Sequence, residues 1–133
     1  MMNKEQIIEK IMEEYAKHGV EKVLVETIYD LGIQKNVPDE MIYPGIKFHL
    51  NNMLGFKDVE TAKDVGSALF ESSLRGTREE YPNATDKEIA DGIEIFGIEK
   101  MEESLENMEF QLSDAIKDKA LSDVKKFVNE NQS

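Results

Sequence analysis

The sequence predicts an all-α protein, in which five to six helices form a compact helical bundle with a long amphipathic C-terminal helix. Apolar residues recur at spacings of three and four along most of the chain, which is typical of amphipathic helices. No segment alternates apolar and polar residues as a half-buried strand would. About 40% of the 133 residues are apolar, enough for the core of one domain. We therefore expect a single all-helical domain over 1–133, with room for a soft boundary near 55–58.

The N-terminal part of the chain predicts two helices that each end at a glycine. A helix over 4–18 begins after Asn3, a residue type that caps helix N-termini. It should end at Gly19, since glycine adopts the left-handed backbone conformation at the lowest cost. By the same reasoning, a second helix over 20–31 should end at Gly32.

Two further helices and a loop are predicted in the middle of the chain. Pro44 and the glycine after it should interrupt any helix that precedes them, so the third substantial helix spans 45–54. A fourth helix spans 58–75, and its Gly66 would let a neighbouring helix approach closely. Residues 76–84 contain glycine, proline and asparagine and predict a loop.

The C-terminal part predicts one long helix. Thr85–Glu88 matches a capping box, and helical spacing of apolar residues then continues almost to the end of the chain. A continuous helix over 98–128 would be about 45 Å long and would project from a compact domain, so a second copy of the chain should cover its apolar stripe. The alternative is a break near Ser113, with the helix folded back along its own bundle. The stripe predicted to form a homodimer comprises Ile98, Met101, Leu105, Met108 and Leu112.

Negative charge is concentrated in the second half of the chain. The formal net charge is −12. Residues 1–57 hold nine acids and seven bases (net −2), whereas residues 58–133 hold nineteen acids and nine bases (net −10). Such a chain repels a phosphate backbone, which disfavours nucleic acid as a partner.

One acidic helix face stands out beside the apolar stripe. It is open to three interpretations: a solvated surface, a docking surface for a basic protein partner, or a metal site. Docking could include mimicry of nucleic-acid phosphates. The face comprises Glu99, Glu102, Glu106 and Glu109.

Motifs for catalysis, metals and cofactors are sparse, and we expect no catalytic residue, bound metal or cofactor. The chain has no cysteine, which excludes disulfides and cysteine-based zinc sites. Neither His18 nor His49 follows a glutamate by three residues, as di-iron bundles require. No phosphate-binding glycine loop is present.

One segment gives an enzymatic alternative. Residues 87–93 place Glu88 and Asp91 in a Glu-x-x-Asp pattern. This segment resembles the second metal-binding helix of all-α nucleotide pyrophosphohydrolases, which implies Mg²⁺-dependent nucleotide hydrolysis. The family pairs this helix with a Glu-x-x-Glu on an earlier helix, and the preceding helix here lacks one.

A second alternative is DNA binding by residues 5–54. Residues 21–32 resemble the first helix and turn of bacterial helix-turn-helix repressors, which implies a DNA-binding regulator with a C-terminal dimerisation helix. The recognition helix expected after Pro38 opens with two acids, although base readout normally uses Arg, Lys, Asn or Gln. The candidates for base contact come later: Lys47, His49, Asn51 and Asn52.

The sequence thus predicts a small acidic cytosolic protein that binds or regulates another protein without catalysis. The N-terminus shows no apolar signal-peptide segment, and no run of 18 apolar residues could span a membrane. We therefore expect a cytoplasmic location, no membrane partner and a basic protein as the partner.

Overall fold

A computed structural model of the chain describes residues 2–56, 58–106 and 114–132. Within these ranges the chain is helical and contains no strand, which confirms the all-α class; the helices exceed the predicted five to six. No helix in the described ranges is long and apolar enough to cross a membrane. The α-helices within the described ranges are α1 (Lys4–Glu14), α2 (Lys22–Gln34), α3 (Asp39–Leu54), α4 (Val59–Glu80), α5 (Asp86–Phe96), α6 (Ile98–Glu106) and α7 (Asp114–Glu130).

The chain divides into two compact units. Unit 1 is Met1–Asp58, with helices α1 to α3, and unit 2 is Val59–Ser133, with helices α4 to α7. The division falls beside the soft boundary expected near 55–58. The expectation that the chain acts as one domain stays a prediction.

Unit 1 is a three-helix unit built around an aliphatic core. Helix α1 begins with a capping box, in which Asn3 and Gln6 each accept a hydrogen bond from the other's backbone N–H. A short 3-10 turn follows α1, and Gly19 then takes the predicted left-handed conformation at φ +66°. The buried core residues are Ile7, Ile8, Ile11, Tyr15, Val25, Ile42, Ile46 and Leu50.

Two predicted interruptions in unit 1 are wrong. Helix α2 continues through Gly32 to Gln34, and α3 begins at Asp39 and passes through Pro44 without a break. A proline inside a helix removes one hydrogen bond and costs about 3 kcal/mol. The side chains of Ile42 and Ile46 lie on either side of Pro44 and are buried in the core, so their burial offsets that cost.

A polar network joins α1 to α3 in unit 1. The hydroxyl of Tyr15 donates a hydrogen bond to Asn51 Oδ1 at 2.5 Å and lies 3.2 Å from the carbonyl oxygen of Lys47. The Lys47 ammonium lies 3.1 Å from the Glu14 carboxylate, which also accepts a hydrogen bond from Tyr43. These contacts tie the C-terminal end of α1 to the second half of α3.

Acid should weaken unit 1 through Glu14. Burial alone would raise the pKa of Glu14, but hydrogen bonds from Tyr43 and Lys47 outweigh it and hold the pKa below its usual value of 4.5. A lowered folded-state pKa means that the ionised carboxylate stabilises the fold above the unfolded pKa, and that this stabilisation is lost as the pH falls through the folded pKa. Melting curves between pH 7 and pH 3 should therefore depend less on pH in Glu14→Gln than in the wild type. Equal pH dependence in the two proteins would contradict this assignment.

Unit 2 is centred on α4 and α7, which pack along each other. The two helices approach closely at Gly66, where an added Cβ would lie 2.5 Å from the carbonyl oxygen of Ile116 and 2.9 Å from the Cβ of Lys119. This contact confirms the predicted close approach of a neighbouring helix to Gly66. Helix α5 packs against α7. An apolar cluster of residues from α4, α5 and α7 includes Phe70 and Phe127, with ring centroids 6.0 Å apart.

Two expectations about unit 2 are corrected. Helix α4 continues past Gly76 to Glu80, so the predicted loop over 76–84 begins only at Tyr81. Helices α6 and α7 lie against each other, which two ends of one straight helix could not do. A continuous straight helix over 98–128 is therefore excluded, and the alternative of a helix folded back along its own bundle is favoured. The apolar side of α7, which includes Ile116 and Ala120, packs on α4 within unit 2.

Candidate functional site: an apolar groove in unit 2

A cavity of about 840 Å³ lies between the four helices described in unit 2 and is here called the groove. Ligand sites commonly have volumes of about 300–1,000 Å³ and often lie between the helices of bundles. Residues from α4, α5, α6 and α7 all contribute to its lining. The apolar part of that lining comprises Leu69, Phe70, Leu74, Ala84, Ile89, Ile93, Phe96, Met101, Ala120, Leu121 and Val124.

Two aromatic rings at the groove are exposed to solvent. Tyr81, directly after α4, is 58% exposed, and Phe96, the last residue of α5, is 51% exposed. The neighbouring Ile95 is 87% exposed. Large rings bury much apolar area when they are covered, and aromatic residues are enriched among the anchors of protein interfaces. These rings therefore give the groove an apolar border that a partner could cover.

The charged side chains that line the groove are both acidic. Glu80 and Glu88 contribute to its lining together with the hydroxyl-bearing side chains of Ser73 and Thr77. Glu80 is the last residue of α4, where the carbonyl groups of the helix end add partial negative charge. The groove thus combines an apolar interior with a negative border.

The corner between α4 and α5 is fixed by local contacts. The Arg78 guanidinium on α4 donates hydrogen bonds to the Asp86 carboxylate, and its Nη2 lies 3.0 Å from both carboxylate oxygens. The predicted capping box then starts α5: Thr85 Oγ1 accepts from the Glu88 backbone N–H at 3.2 Å, and Glu88 accepts from the Thr85 N–H at 3.2 Å. These contacts hold Glu88 and the first turn of α5 at the groove.

The predicted acidic face falls only partly within the described residues. Glu99 and Glu102 are exposed on α6. The structure describes the backbone but not the side chain of Glu106, and Glu109 lies outside the described residues. The acidic docking surface therefore stays a prediction.

The predicted dimer stripe is described over its first two residues. Ile98 is half-buried, and the half-buried Met101 lines the groove. The side chain of Leu105 is not described, and Met108 and Leu112 lie outside the described residues. The homodimer stays a prediction, although its original argument, a projecting helix, no longer holds.

The geometry gives the enzymatic alternative no support. Glu88 caps α5, and the Asp91 carboxylate pairs with Lys87 at 3.3 Å. Across the described residues, no cluster of three or more acidic or histidine side chains is placed to bind a metal ion.

The helix-turn-helix alternative loses two of its base-contact candidates. Lys47 is paired with Glu14, and Asn51 is buried with its side chain bonded to Tyr15. His49 and Asn52 are exposed on α3. A helix whose central basic and amide groups are engaged inside the unit is poorly suited to reading bases.

The spacing of apolar residues along the chain gave no indication of the groove. Its aromatic border comes from Tyr81 and Phe96, which sit at the ends of two different helices. The spacing of apolar residues within one helix cannot show that such residues meet in space. The available signal was the aromatic residue immediately before Pro82, at the point where α4 ends.

Comparison of the chain with protein-family models, curated proteins and solved structures found no significant match.

Proposed function

We propose that the protein is a non-catalytic binding protein whose groove in unit 2 receives apolar side chains of a partner protein. The observation that carries this proposal is an apolar cavity of about 840 Å³ bordered by the exposed rings of Tyr81 and Phe96. Covering these rings and filling the cavity would remove apolar surface from water, the main favourable term in protein association. A cytoplasmic location and a regulatory role remain predictions.

The four-helix lining favours binding over catalysis. Its polar groups are two glutamates and a few hydroxyls, and one of the glutamates already caps a helix. Glu88 is engaged at the start of α5, where its carboxylate accepts hydrogen bonds from the backbone N–H and the hydroxyl of Thr85. The apolar surface itself is the feature that a partner can use.

Replacing Gly92 by leucine tests the proposal, because it should fill part of the groove without harming the fold. Gly92 lines the groove on α5, and a Cβ there meets no atom within 4 Å. Leucine is favoured over glycine inside helices by roughly 0.5–1 kcal/mol, so the variant should fold at least as well as the wild type. Peptides selected from a random library for binding to the wild-type chain should bind Gly92→Leu at least tenfold more weakly in fluorescence anisotropy.

The matched control is Gly76→Leu. Gly76 is exposed on α4, has no atom within 4 Å of an added Cβ and does not line the groove. This variant should keep the affinity of the wild type. A library that yields no binder, or binders unaffected by Gly92→Leu, would refute the proposed function.

A further inference from the structure

We infer that the segment bound in the groove is a basic amphipathic helix, an inference that rests on the proposed function and names its partner class. Three observations lead to it: the charge of unit 2, the pairing of its basic side chains near the groove, and the scarcity of polar groups in the groove lining.

The charge of unit 2 favours a cationic partner. Residues 59–133 hold eighteen acids and nine bases, a net charge of −9. Glu80 and Glu88 lie at the groove, and Glu99 and Glu102 are exposed on the adjacent α6. A field of this sign attracts lysine and arginine and repels an anionic ligand such as a fatty acid.

The basic side chains of α4 and α5 near the groove do little to offset this field. Arg75 lies 3.0 Å from Glu79, Arg78 pairs with Asp86, and Lys87 pairs with Asp91. Each of these cations is matched by a carboxylate on the same corner of unit 2, so their charges are locally balanced. On α6, the Lys100 ammonium lies 5.8 Å from the centre of the Phe96 ring and adds one positive charge beside the groove. The carboxylates of Glu80, Glu88, Glu99 and Glu102 outnumber it. A partner with cations beside its apolar face would supply the missing positive charge.

The lining favours a helix over an extended peptide. An extended segment exposes backbone N–H and C=O groups that must find partners when buried. The polar contribution from Ser73 and Thr77 is small beside the apolar lining, and the described residues contain no strand whose edge could pair with such a segment. A helix satisfies its own backbone and presents apolar anchors at i, i+3, i+4 and i+7.

The test uses two synthetic 18-residue peptides with identical apolar residues at these helical positions. One carries lysine at the remaining positions, and the other carries glutamate. Anisotropy titrations with the full chain should show the lysine peptide binding at least tenfold more tightly in 50 mM salt, with a smaller advantage in 300 mM salt because ions screen the charges. Circular dichroism should show that the lysine peptide gains helix on binding.

Charge reversal locates the contact on the protein. Glu80→Lys should weaken binding of the lysine peptide by about three- to tenfold, since it puts a positive charge at the groove border. The control Glu71→Lys makes the same change in net charge on an exposed residue of the same helix that does not line the groove. It should change the affinity by less than about twofold.

The outcomes separate this inference from the proposed function. Equal binding of the two peptides, or binding of the lysine peptide without gain of helix, would overturn the basic helix. If peptides from the library still bind Gly92→Leu more weakly than the wild type, the proposed function would remain supported. If the affinity of the lysine peptide is the same for Gly92→Leu, Glu80→Lys and the wild type, the peptide binds elsewhere on the chain. That result would overturn the inference.

Discussion

Replacing Gly66 by alanine should destabilise unit 2 by about 1–2 kcal/mol. The added Cβ would lie 2.5 Å from the Ile116 carbonyl oxygen and 3.3 Å from the Ala120 backbone nitrogen, so the obstruction is backbone, which cannot turn aside as a flexible side chain could. Overpacking usually costs about 1–3 kcal/mol, and we expect the upper part of that range here. The greater helix propensity of alanine offsets about 1 kcal/mol of this cost.

Gly76→Ala is the matched control for this substitution. It lies on the same helix, where an added Cβ meets nothing within 4 Å, and it should stabilise the chain by about 0.5–1 kcal/mol. Urea unfolding of both variants measures the difference. Equal stabilisation by both alanines would show that α4 and α7 do not pack at Gly66.

The Gly66 substitution should also affect the groove. Ala120, Leu121 and Val124 supply the α7 part of its lining, and Ala120 is also one of the residues that Gly66 contacts. If α7 moves away from α4 to make room for a methyl group, this part of the lining moves with it. We therefore expect Gly66→Ala to weaken peptide binding even at temperatures where the variant remains folded.

Features that depend on neighbouring residues in the sequence could be predicted. Asn3 and Thr85 both cap helices because a short polar side chain and the residue three positions later complete the motif locally. Gly19 ends its segment in the left-handed conformation for a similarly local reason. The close approach at Gly66 was predicted because the absence of a side chain permits it, although an added Cβ at Gly32 or Gly76 meets no atom within 4 Å.

Helix interruptions were predicted less well because they depend on tertiary packing. Gly32, Pro44 and Gly76 are each unfavourable inside a helix, but all three lie within helices. At Pro44, the burial of Ile42 and Ile46 in the core offsets the penalty. For Gly76, the helix continues to Arg78, whose contact with Asp86 holds the next corner.

The groove could not be predicted from the sequence for a related reason. An apolar stripe on a helix predicts that the stripe is covered, but it does not identify the covering element. The stripe that includes Ile116 and Ala120 on α7 is buried within unit 2, whereas a second copy of the chain was expected to cover it. Helix α6 lies against α7, and this packing brings Met101 to the groove.

Replacing Tyr15 by phenylalanine should cost about 1–3 kcal/mol of stability, because it removes the donor to a buried acceptor. Asn51 is only 5% exposed, and its Oδ1 accepts the Tyr15 hydroxyl at 2.5 Å while its Nδ2 lies 3.5 Å from the Asp58 carboxylate. Replacing both partners by apolar residues, in Tyr15→Phe/Asn51→Leu, should recover part of the loss. Thermal or urea unfolding of the two single variants and the double variant measures this coupling.

The result also bears on the DNA-binding alternative. A residue that reads bases must reach solvent, whereas Asn51 points to Tyr15 inside unit 1. Strong coupling between Tyr15 and Asn51 would mean that α3 uses this amide to fix its position against α1. If Tyr15→Phe leaves the stability unchanged, Asn51 returns to the candidates for nucleic-acid contact, and DNA binding at low salt becomes the measurement that separates the two roles.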